Sequence, residues 1–280
     1  MNNLKQLPTF IYIGSAKTGS TWIFKALKAH PEVYVALGKE LHFFDQHYHR
    51  GLSWYASFFA KANEGVKARG ELTPGYLYFR ETAERIAQDL PNVKLLACIR
   101  NPIDRALSAY QFQKRNGIAE SDFVSTMHKY PEILERGKYF NYVKMYLDIF
   151  GAENFKVFIH DDLKKDAVLF AKQLYQFIGV DAEYEYADAK KKVLEASEPR
   201  AAWLAALTYK MLLSIHKKMG WLGLIGKMRH PFIMRLLYKP INKDKKEQLT
   251  DEQKAWLRDY YAEDVEKLGK LLNRNLQHWL

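Results

Sequence analysis

The sequence has a single cysteine, Cys98, among its 280 residues, so it cannot form an internal disulfide. The five residues 95–99 around it are all apolar, which indicates a buried thiol in a strand rather than a catalytic one. Because secreted and lumenal enzymes tend to carry disulfides, the shortage of cysteine favours a reducing cytosol.

Long uncharged apolar runs are missing as well. None reaches the roughly 18 residues that a membrane-spanning helix needs. The first eight residues do not place an apolar stretch after a charged one, as a secretory signal does. The sequence therefore predicts a cytoplasmic protein. Its length and its 48% hydrophobic content allow one large core, or one core with a helical appendage.

Acidic residues are absent from 199–243, which we call the acid-free segment. Its nine cations account for +9 of the formal net charge of +11. They are Arg200, Lys210, Lys217, Lys218, Lys227, Arg229, Arg235, Lys239 and Lys243. Acidic ligands, nucleic acid or an anionic membrane surface would each explain such a local charge. Aliphatic and aromatic residues between the cations fit a lid over a cleft, a contact with anionic lipid, or a plain helical cap.

Buried strands that alternate with helices predict the fold class. Apolar runs at 10–13, 93–99 and 155–159 are typical of strands in a parallel sheet. We predict an α/β fold: a P-loop-like parallel β-sheet flanked by helices, with a helical C-terminal region. A single domain would comprise an α/β core over about 8–180 and a wholly helical cap over about 190–280.

Two local signals mark helix ends in the second half of the chain. Asp161 or Asp162 is expected to cap a helix that runs on to Ile178 and stops at Gly179. The last helix is expected to open with a capping box over 250–253.

The sharpest feature of the sequence is residues 10–22, where an apolar strand leads through a polar loop into a helix. From Gly14 the spacing Gly-x-x-x-x-Gly-Ser-Thr differs by one residue from the phosphate-binding P-loop. Ser20 stands where a kinase has its lysine, and Lys17 lies inside the loop instead. Backbone N–H groups and the positive end of a helix dipole make such a turn an anion site.

Residues 15–22 resemble the 5′-phosphosulfate loop of sulfotransferases that use 3′-phosphoadenosine 5′-phosphosulfate (PAPS). Four further segments resemble, in the same order, the heparan-sulfate-type and bacterial branch of that family. They are 38–45, an acid-and-histidine segment; 51–55 and 71–76, substrate-cleft segments; and 100–110, a 3′-phosphate segment. The resemblance covers roughly 10–180. It implies in-line transfer of a sulfuryl group from PAPS to an acceptor hydroxyl, with PAP as the product and no metal.

The resemblance also implies roles for individual residues. Lys17 would stabilise the charge that develops on the leaving phosphate, Glu40 would be the general base, and His42 would support it or contact the acceptor. Glu40 and His42 alternate on a segment that we interpret as extended, which would put both on one face. The donor-binding set is Ser15, Ala16, Lys17, Thr18, Gly19, Ser20, Thr21, Trp22, Arg100, Ser108, Tyr139 and Arg200. The acceptor side is assigned Asp45, Trp54, Thr73 and Tyr76.

Two other classes of function compete with this interpretation. A nucleotide or small-molecule kinase with a degenerate P-loop would need an acid for Mg²⁺ at the end of the second central strand, where the sequence has Arg100, a fork suited to phosphate. A non-catalytic nucleic-acid-binding protein would explain the basic segment, but no known module or continuous basic groove accompanies it.

We therefore predict a sulfotransferase that does not bind nucleic acid and acts on a carbohydrate or a glycolipid. Leu72 stands where heparan-type relatives usually have a lysine, which argues against a highly sulfated acceptor. The acid-free segment suggests peripheral attachment at the inner membrane face. The sequence does not indicate an oligomeric state.

Overall fold

The computed structural model describes residues 6–36, 40–190, 197–199, 207, 238–240 and 247–280. The strands are β1 (Phe10–Gly14), β2 (Val33–Val35), β3 (Ala68–Leu72), β4 (Lys94–Ile99), β5 (Phe155–Ile159), β6 (Ser197–Pro199) and β7 (Tyr238–Pro240). The α-helices are α1 (Ser20–Ala29), α2 (Gly51–Ala56), α3 (Arg80–Asp89), α4 (Pro102–Arg115), α5 (Phe123–Lys129), α6 (Glu132–Glu135), α7 (Phe140–Asn154), α8 (His160–Lys165), α9 (Ala167–Ile178) and α10 (Asp251–Leu272). Single helical turns lie at Phe43–His47, Tyr48–Arg50, Ser57–Phe59, Tyr76–Tyr78 and Gln277–Trp279.

Five strands form one parallel sheet in the order β2-β3-β1-β4-β5. The central strand β1 is buried along its whole length. A parallel sheet is covered on both faces, which explains the continuous apolar run of β1. The predicted fold class, a parallel sheet flanked by helices, is confirmed.

The chain divides into two compact units, Met1–Arg100 with Tyr142–Val193, and Asn101–Asn141 with Leu194–Leu280. The first unit contains the parallel sheet. The second contains α4, α5, α6 and α10, together with the antiparallel pair of β6 and β7.

The core of the first unit is built from the sheet and two of its helices. Trp22 and Leu27 of α1, together with Phe170 and Leu174 of α9, pack into the same buried cluster as Phe10 of β1. The long apolar side chains that the sequence spaces along each helix face are therefore the ones that cover the sheet.

Two helix starts in the second unit have clear local causes, and the one at 250–253 is the capping box that the sequence predicts. Pro102 opens α4, and the Asn101 side chain caps the helix by accepting N–H hydrogen bonds from Ile103 (2.9 Å) and Asp104 (3.3 Å). The capping box of α10 is complete. The Thr250 hydroxyl accepts from the N–H of Gln253 at 3.1 Å, and the Gln253 side chain accepts in return at 3.0 Å.

Two predictions about local structure are wrong. The helix expected from Asp161 or Asp162 to Ile178 is two helices, because Asp166 is extended and its carboxylate accepts the N–H groups of Val168 and Leu169, both at 3.0 Å. The region beyond 190 is not wholly helical, since it contains β6 and β7. Most of the acid-free segment lies outside the described residues, so its role and the division into core and cap stay predictions.

Candidate active site

The loop between β1 and α1 is the candidate anion site, and two glycines allow its sharp turn. A Cβ at Gly14 would lie 2.7 Å from the Leu77 Cβ and 2.9 Å from the Pro74 carbonyl oxygen, so no larger residue fits without a shift. Gly19 is the N-cap of α1 and has a left-handed φ of 96°, which glycine adopts at little cost. The strand, loop and helix follow one another as the spacing predicts.

Hydrogen bonds inside the loop fix its shape. The Ser15 carbonyl oxygen accepts from the Thr18 hydroxyl at 2.6 Å and from the Tyr12 hydroxyl at 3.0 Å. The Ser15 hydroxyl lies 2.7 Å from that of Tyr78. Because Ser15 and Thr18 are fully buried, their hydroxyls hold the loop together from within.

The first turn of α1 follows the loop. Ser20 and Thr21 are half-buried, and this turn contains no acidic side chain, so an anion at the helix end meets no like charge from it. Trp22 points away into the core, where its indole N–H donates to the Ala189 carbonyl oxygen at 3.0 Å. Lys17 is half-buried within the loop and has a left-handed φ of 70°.

The neighbouring strand β4 is tied to the same loop. The Ser15 N–H donates to the Cys98 carbonyl oxygen at 2.8 Å, and the Cys98 thiol donates to the Thr18 carbonyl oxygen at 3.1 Å. Complete burial raises the pKa of this thiol well above its usual range, which fits a structural cysteine. Half-buried Arg100 follows at the carboxyl end of β4.

One residue beside the loop has no signal in the sequence. His160 begins α8 directly after β5, and its Cδ2 atom lies 3.2 Å from the position that a Cβ on Gly19 would take. The two residues are far apart in the chain, so only the fold brings them together. His160 is thus a further side chain beside the anion loop.

Glu40, His42 and Asp45 meet at a second point of the first unit. His42 Nδ1 is 2.8 Å from Asp45 Oδ2, and His42 Nε2 is 3.9 Å from Glu40 Oε2. The segment is not extended as predicted, because Glu40 (φ 67°) and His42 (φ 52°) are both left-handed. A coiled backbone, rather than alternation along a strand, brings them together. The Glu40 side chain is 55% exposed, against 15% for His42 and 13% for Asp45.

The charge on His42 follows from these neighbours. Burial lowers the pKa of His42, but the hydrogen bond to Asp45 and the attraction of Glu40 outweigh it and raise the pKa to about 9. His42 is therefore an imidazolium at neutral pH. An imidazolium has no site for another proton, so among these groups the exposed Glu40 carboxylate is the one suited to accept one.

Two residues that the sequence assigns to the acceptor have another role in this structure. Thr73 and Tyr76 are fully buried, and both hydroxyls donate to the carboxylate of Glu71, at 2.6 Å and 3.2 Å. Tyr55 donates to the same carboxylate at 2.8 Å. In this structure both hydroxyls hold a buried acid beneath the surface, and the assignment of Thr73 and Tyr76 to the acceptor stays a prediction.

Trp54 is the aromatic residue of the acceptor set that stays partly accessible. It is half-buried, packs edge-on against Phe58 at 4.8 Å between ring centroids, and lies under the Arg50 guanidinium at 4.9 Å. Phe79 is 48% exposed. Leu72 is buried in the hydrophobic core of the first unit, so its side chain does not line a cleft.

The remaining donor residues belong to the second unit or lie outside the description. Ser108 is half-buried on α4. Tyr139 is fully buried, and its N–H donates to Asp264 Oδ2 at 2.7 Å. Arg105 is buried and donates to the Ile133 carbonyl oxygen, which makes it a structural residue of this unit. Arg200 lies outside the described residues.

Two kinds of feature are absent from the described ranges. No group of three or more His, Cys, Asp or Glu side chains within them is arranged to hold a metal ion. No helix in the part of the chain that the structure describes is both long and apolar enough to cross a membrane.

Comparison with known proteins assigns the family. Residues 7–270 match the sequence model of the sulfotransferase domain, so the chain belongs to the sulfotransferase domain family. Among curated relatives, it is 37% identical over 129 residues to mouse heparan sulfate glucosamine 3-O-sulfotransferase 3A1, a match that covers 46% of this chain and 29% of that protein. The chain spans under a third of the length of the first curated relatives it matches.

Solved structures show the same fold. A sulfotransferase from Alicyclobacillus acidocaldarius superposes with a TM-score of 0.69 at 23% identity, covering 97% of this chain and 98% of the other. Mouse sulfotransferase SULT7A1 in complex with PAP gives a TM-score of 0.55 at 15% identity, covering 97% and 91%. The family predicted from the sequence segments is confirmed.

Proposed function

We propose that this chain is a PAPS-dependent O-sulfotransferase that transfers a sulfuryl group to a hydroxyl of a carbohydrate or a glycolipid. The observation that carries the proposal is the carboxyl edge of the parallel sheet. There the loop with Lys17 follows β1, Arg100 follows the adjacent β4, and the N–H of Glu40 donates to Leu72 at the end of β3 on the other side, at 2.8 Å. Ligands of open α/β sheets bind at this edge.

The residues around the loop fit a phosphate-bearing donor. A tight turn leads into a helix whose first turn has no acid, and the absence of a Cβ at Gly14 and Gly19 lets the backbone turn closely. Lys17 with the backbone of 18–21 would hold the 5′-phosphosulfate. Arg100 would hold the 3′-phosphate side. Ser108, Tyr139 and Arg200, which family resemblance assigns to the donor, stay predictions. When bound, PAPS supplies the activated sulfuryl group.

The chain's own residues divide the remaining work. Lys17 brings a positive charge into the loop, where it would stabilise negative charge on the departing phosphate. Glu40 would take the proton of the acceptor hydroxyl, since it is exposed while its neighbour His42 is already protonated. Lys17 at the leaving phosphate and Glu40 at the acceptor hydroxyl would support in-line transfer of the sulfuryl group.

The acceptor proposal draws on the relatives and on local charge. Several relatives are named for heparan sulfate, which supports a carbohydrate. The acid-and-histidine cluster combines the carboxylates of Glu40 and Asp45 with one imidazolium, and Leu72 supplies no cation. Such surroundings favour a hydroxyl on a neutral sugar over a heavily sulfated one.

The location proposal rests on the acid-free segment alone. Its nine cations and no acids support peripheral attachment of a cytoplasmic protein to an anionic membrane surface.

Thermal unfolding with three ligands tests the donor assignment. PAP without Mg²⁺ should raise the Tm, because a ligand that binds only the folded state stabilises it. ATP with Mg²⁺ should not raise the Tm, since ATP lacks the 3′-phosphate. Duplex DNA should not raise it either, since we predict no binding of nucleic acid. Arg100→Ala should remove most of the PAP effect, and His49→Gln, which changes an exposed histidine, serves as the matched control. If ATP with Mg²⁺ raised the Tm as much as PAP does, the donor assignment would be wrong and the kinase interpretation would be favoured.

A further inference from the structure

Glu71, at the carboxyl end of β3, is a buried acid that the proposed reaction does not use. It is fully buried, and its two carboxylate oxygens accept hydrogen bonds from three hydroxyls, those of Tyr55, Thr73 and Tyr76. Within the described residues no lysine or arginine forms an ion pair with it. Burying a carboxylate without a cation costs free energy, so the burial of Glu71 requires a physical explanation.

The imidazolium of His42 is one source of compensation for this charge. Tyr76 connects the two residues: its hydroxyl donates to Glu71, and its ring packs edge-on against the His42 ring with 6.5 Å between centroids. His42 also attracts the Glu71 carboxylate electrostatically. The same Tyr76 hydroxyl accepts the N–H of Phe44, at 3.2 Å, which ties the segment after His42 to the end of β3.

Glu40 depends on the same strand end. Its N–H donates to the carbonyl oxygen of Leu72, the residue after Glu71, at 2.8 Å. The next N–H, that of Thr73, donates to the Tyr12 carbonyl oxygen at 2.9 Å and so joins β3 to β1 just before the anion loop. The end of β3 therefore contacts Glu40 through a backbone hydrogen bond and His42 through the ring of Tyr76.

We propose that Glu71 is a positioning residue: its buried negative charge keeps His42 in the imidazolium form, and His42 in turn holds the Glu40 carboxylate in place. This inference rests on the proposed function, in which Glu40 is the base. The charge is the essential property. A glutamine amide oxygen could still accept from the Tyr55 and Tyr76 hydroxyls, while its amide nitrogen would donate to the Thr73 hydroxyl instead.

Five other groups belong to the electrostatic surroundings of His42 and Glu71. Glu40 and Asp45 face His42 from its own segment, with the neutral amide of Gln46 at 3.3 Å from its Nδ1. Burial raises the pKa of Tyr55 and Tyr76 well above the usual range, so both phenols stay neutral donors. Burial also raises the pKa of Glu71, against the hydrogen bond from Thr73, which lowers it.

The test follows the titration of His42 by NMR on the full chain with isotope-labelled histidine. The His42 signal is identified among the nine histidines by its loss in His42→Gln. Glu71→Gln should lower the pKa of His42 from about 9 toward its ordinary value, by about 0.5 or more. Tyr175→Phe is the control, because it removes a buried hydroxyl that donates to Ala26 far from this cluster.

The turnover of the Glu71 variants should decrease together with the pKa of His42. Glu71→Gln should lower kcat roughly tenfold at neutral pH, less than the 10²–10⁴-fold expected for loss of the base itself, while the KM for PAPS stays unchanged. Glu71→Asp should restore part of both effects. Should Glu71→Gln fail to fold, Thr73→Val tests the same idea, because loss of that hydrogen bond disfavours the charged carboxylate and should move the His42 titration in the same direction.

The possible failures are distinguishable. An unchanged His42 titration in both variants overturns the positioning role and leaves Glu71 a structural residue. If Glu40→Gln keeps full turnover, the base assignment fails, whereas the titration still reports whether Glu71 charges His42.

Discussion

The raised pKa of His42 makes a quantitative prediction about stability. A rise from 6.5 to about 9 on folding corresponds to about 3 kcal/mol of interaction between the imidazolium and its neighbours. Because the folded-state pKa is the higher one, this stabilisation is fully present below pH 6.5. It is lost as the pH rises through 9, where the folded protein also releases the proton.

The perturbation is His42→Gln, and the assay is urea unfolding at pH values from 6 to 10. The free energy of unfolding of the wild type, minus that of the variant, should fall by about 3 kcal/mol across this range. The variant leaves Asp45 and Glu40 in place, so the change isolates the histidine. His49→Gln, which removes an exposed histidine, is the control.

A flat difference between pH 6 and 10 would refute the reasoning. It would mean that the geometry in which His42 Nδ1 lies 2.8 Å from Asp45 does not hold a proton on the imidazole. The argument that leaves Glu40 as the proton acceptor would then lose its electrostatic support.

Three further predictions concern function. Glu40→Gln should reduce kcat by roughly 10²–10⁴-fold and leave the rise in Tm caused by PAP intact; normal turnover would place the base elsewhere. Lys17→Gly should abolish stabilisation by PAP while its free energy of unfolding stays within about 1 kcal/mol of wild type, because glycine suits the left-handed φ of 70°. The chain should co-sediment with anionic vesicles at low salt and detach at high salt; replacing Lys217 and Lys218 with Gln should weaken this, and neutral vesicles provide the baseline.

Local sequence signals predicted most of the sheet because buried parallel strands are local apolar runs. The run at 155–159 is β5 residue for residue, and the spacing around Gly14 placed the turn into α1. Capping signals succeeded where a single candidate was present, as at Thr250. They failed at 160–166, where the sequence has three aspartates and the one that caps α9 is Asp166.

The parts of the candidate site that the sequence could not predict depend on contacts between distant segments. His160 reaches Gly19 across the sheet edge, and no spacing connects them. Thr73 and Tyr76 lie in a segment that resembles a substrate cleft, yet their hydroxyls face Glu71 in the interior. A motif identifies which residues belong to a region, whereas burial decides which of them a ligand can meet.

Backbone conformation gives independent support for the placement of the site. Of the four non-glycine residues that the described chain holds at positive φ, three are Lys17, Glu40 and His42. The fourth, Asn273, ends α10 in the left-handed conformation common at helix ends. Lysine, glutamate and histidine gain nothing locally from this conformation, which costs on the order of 1 kcal/mol each. Surrounding contacts must impose it, as the hydrogen bond from Glu40 to Leu72 does. Strain of this kind collects at functional sites, and here it marks the residues to which we assign the chemistry.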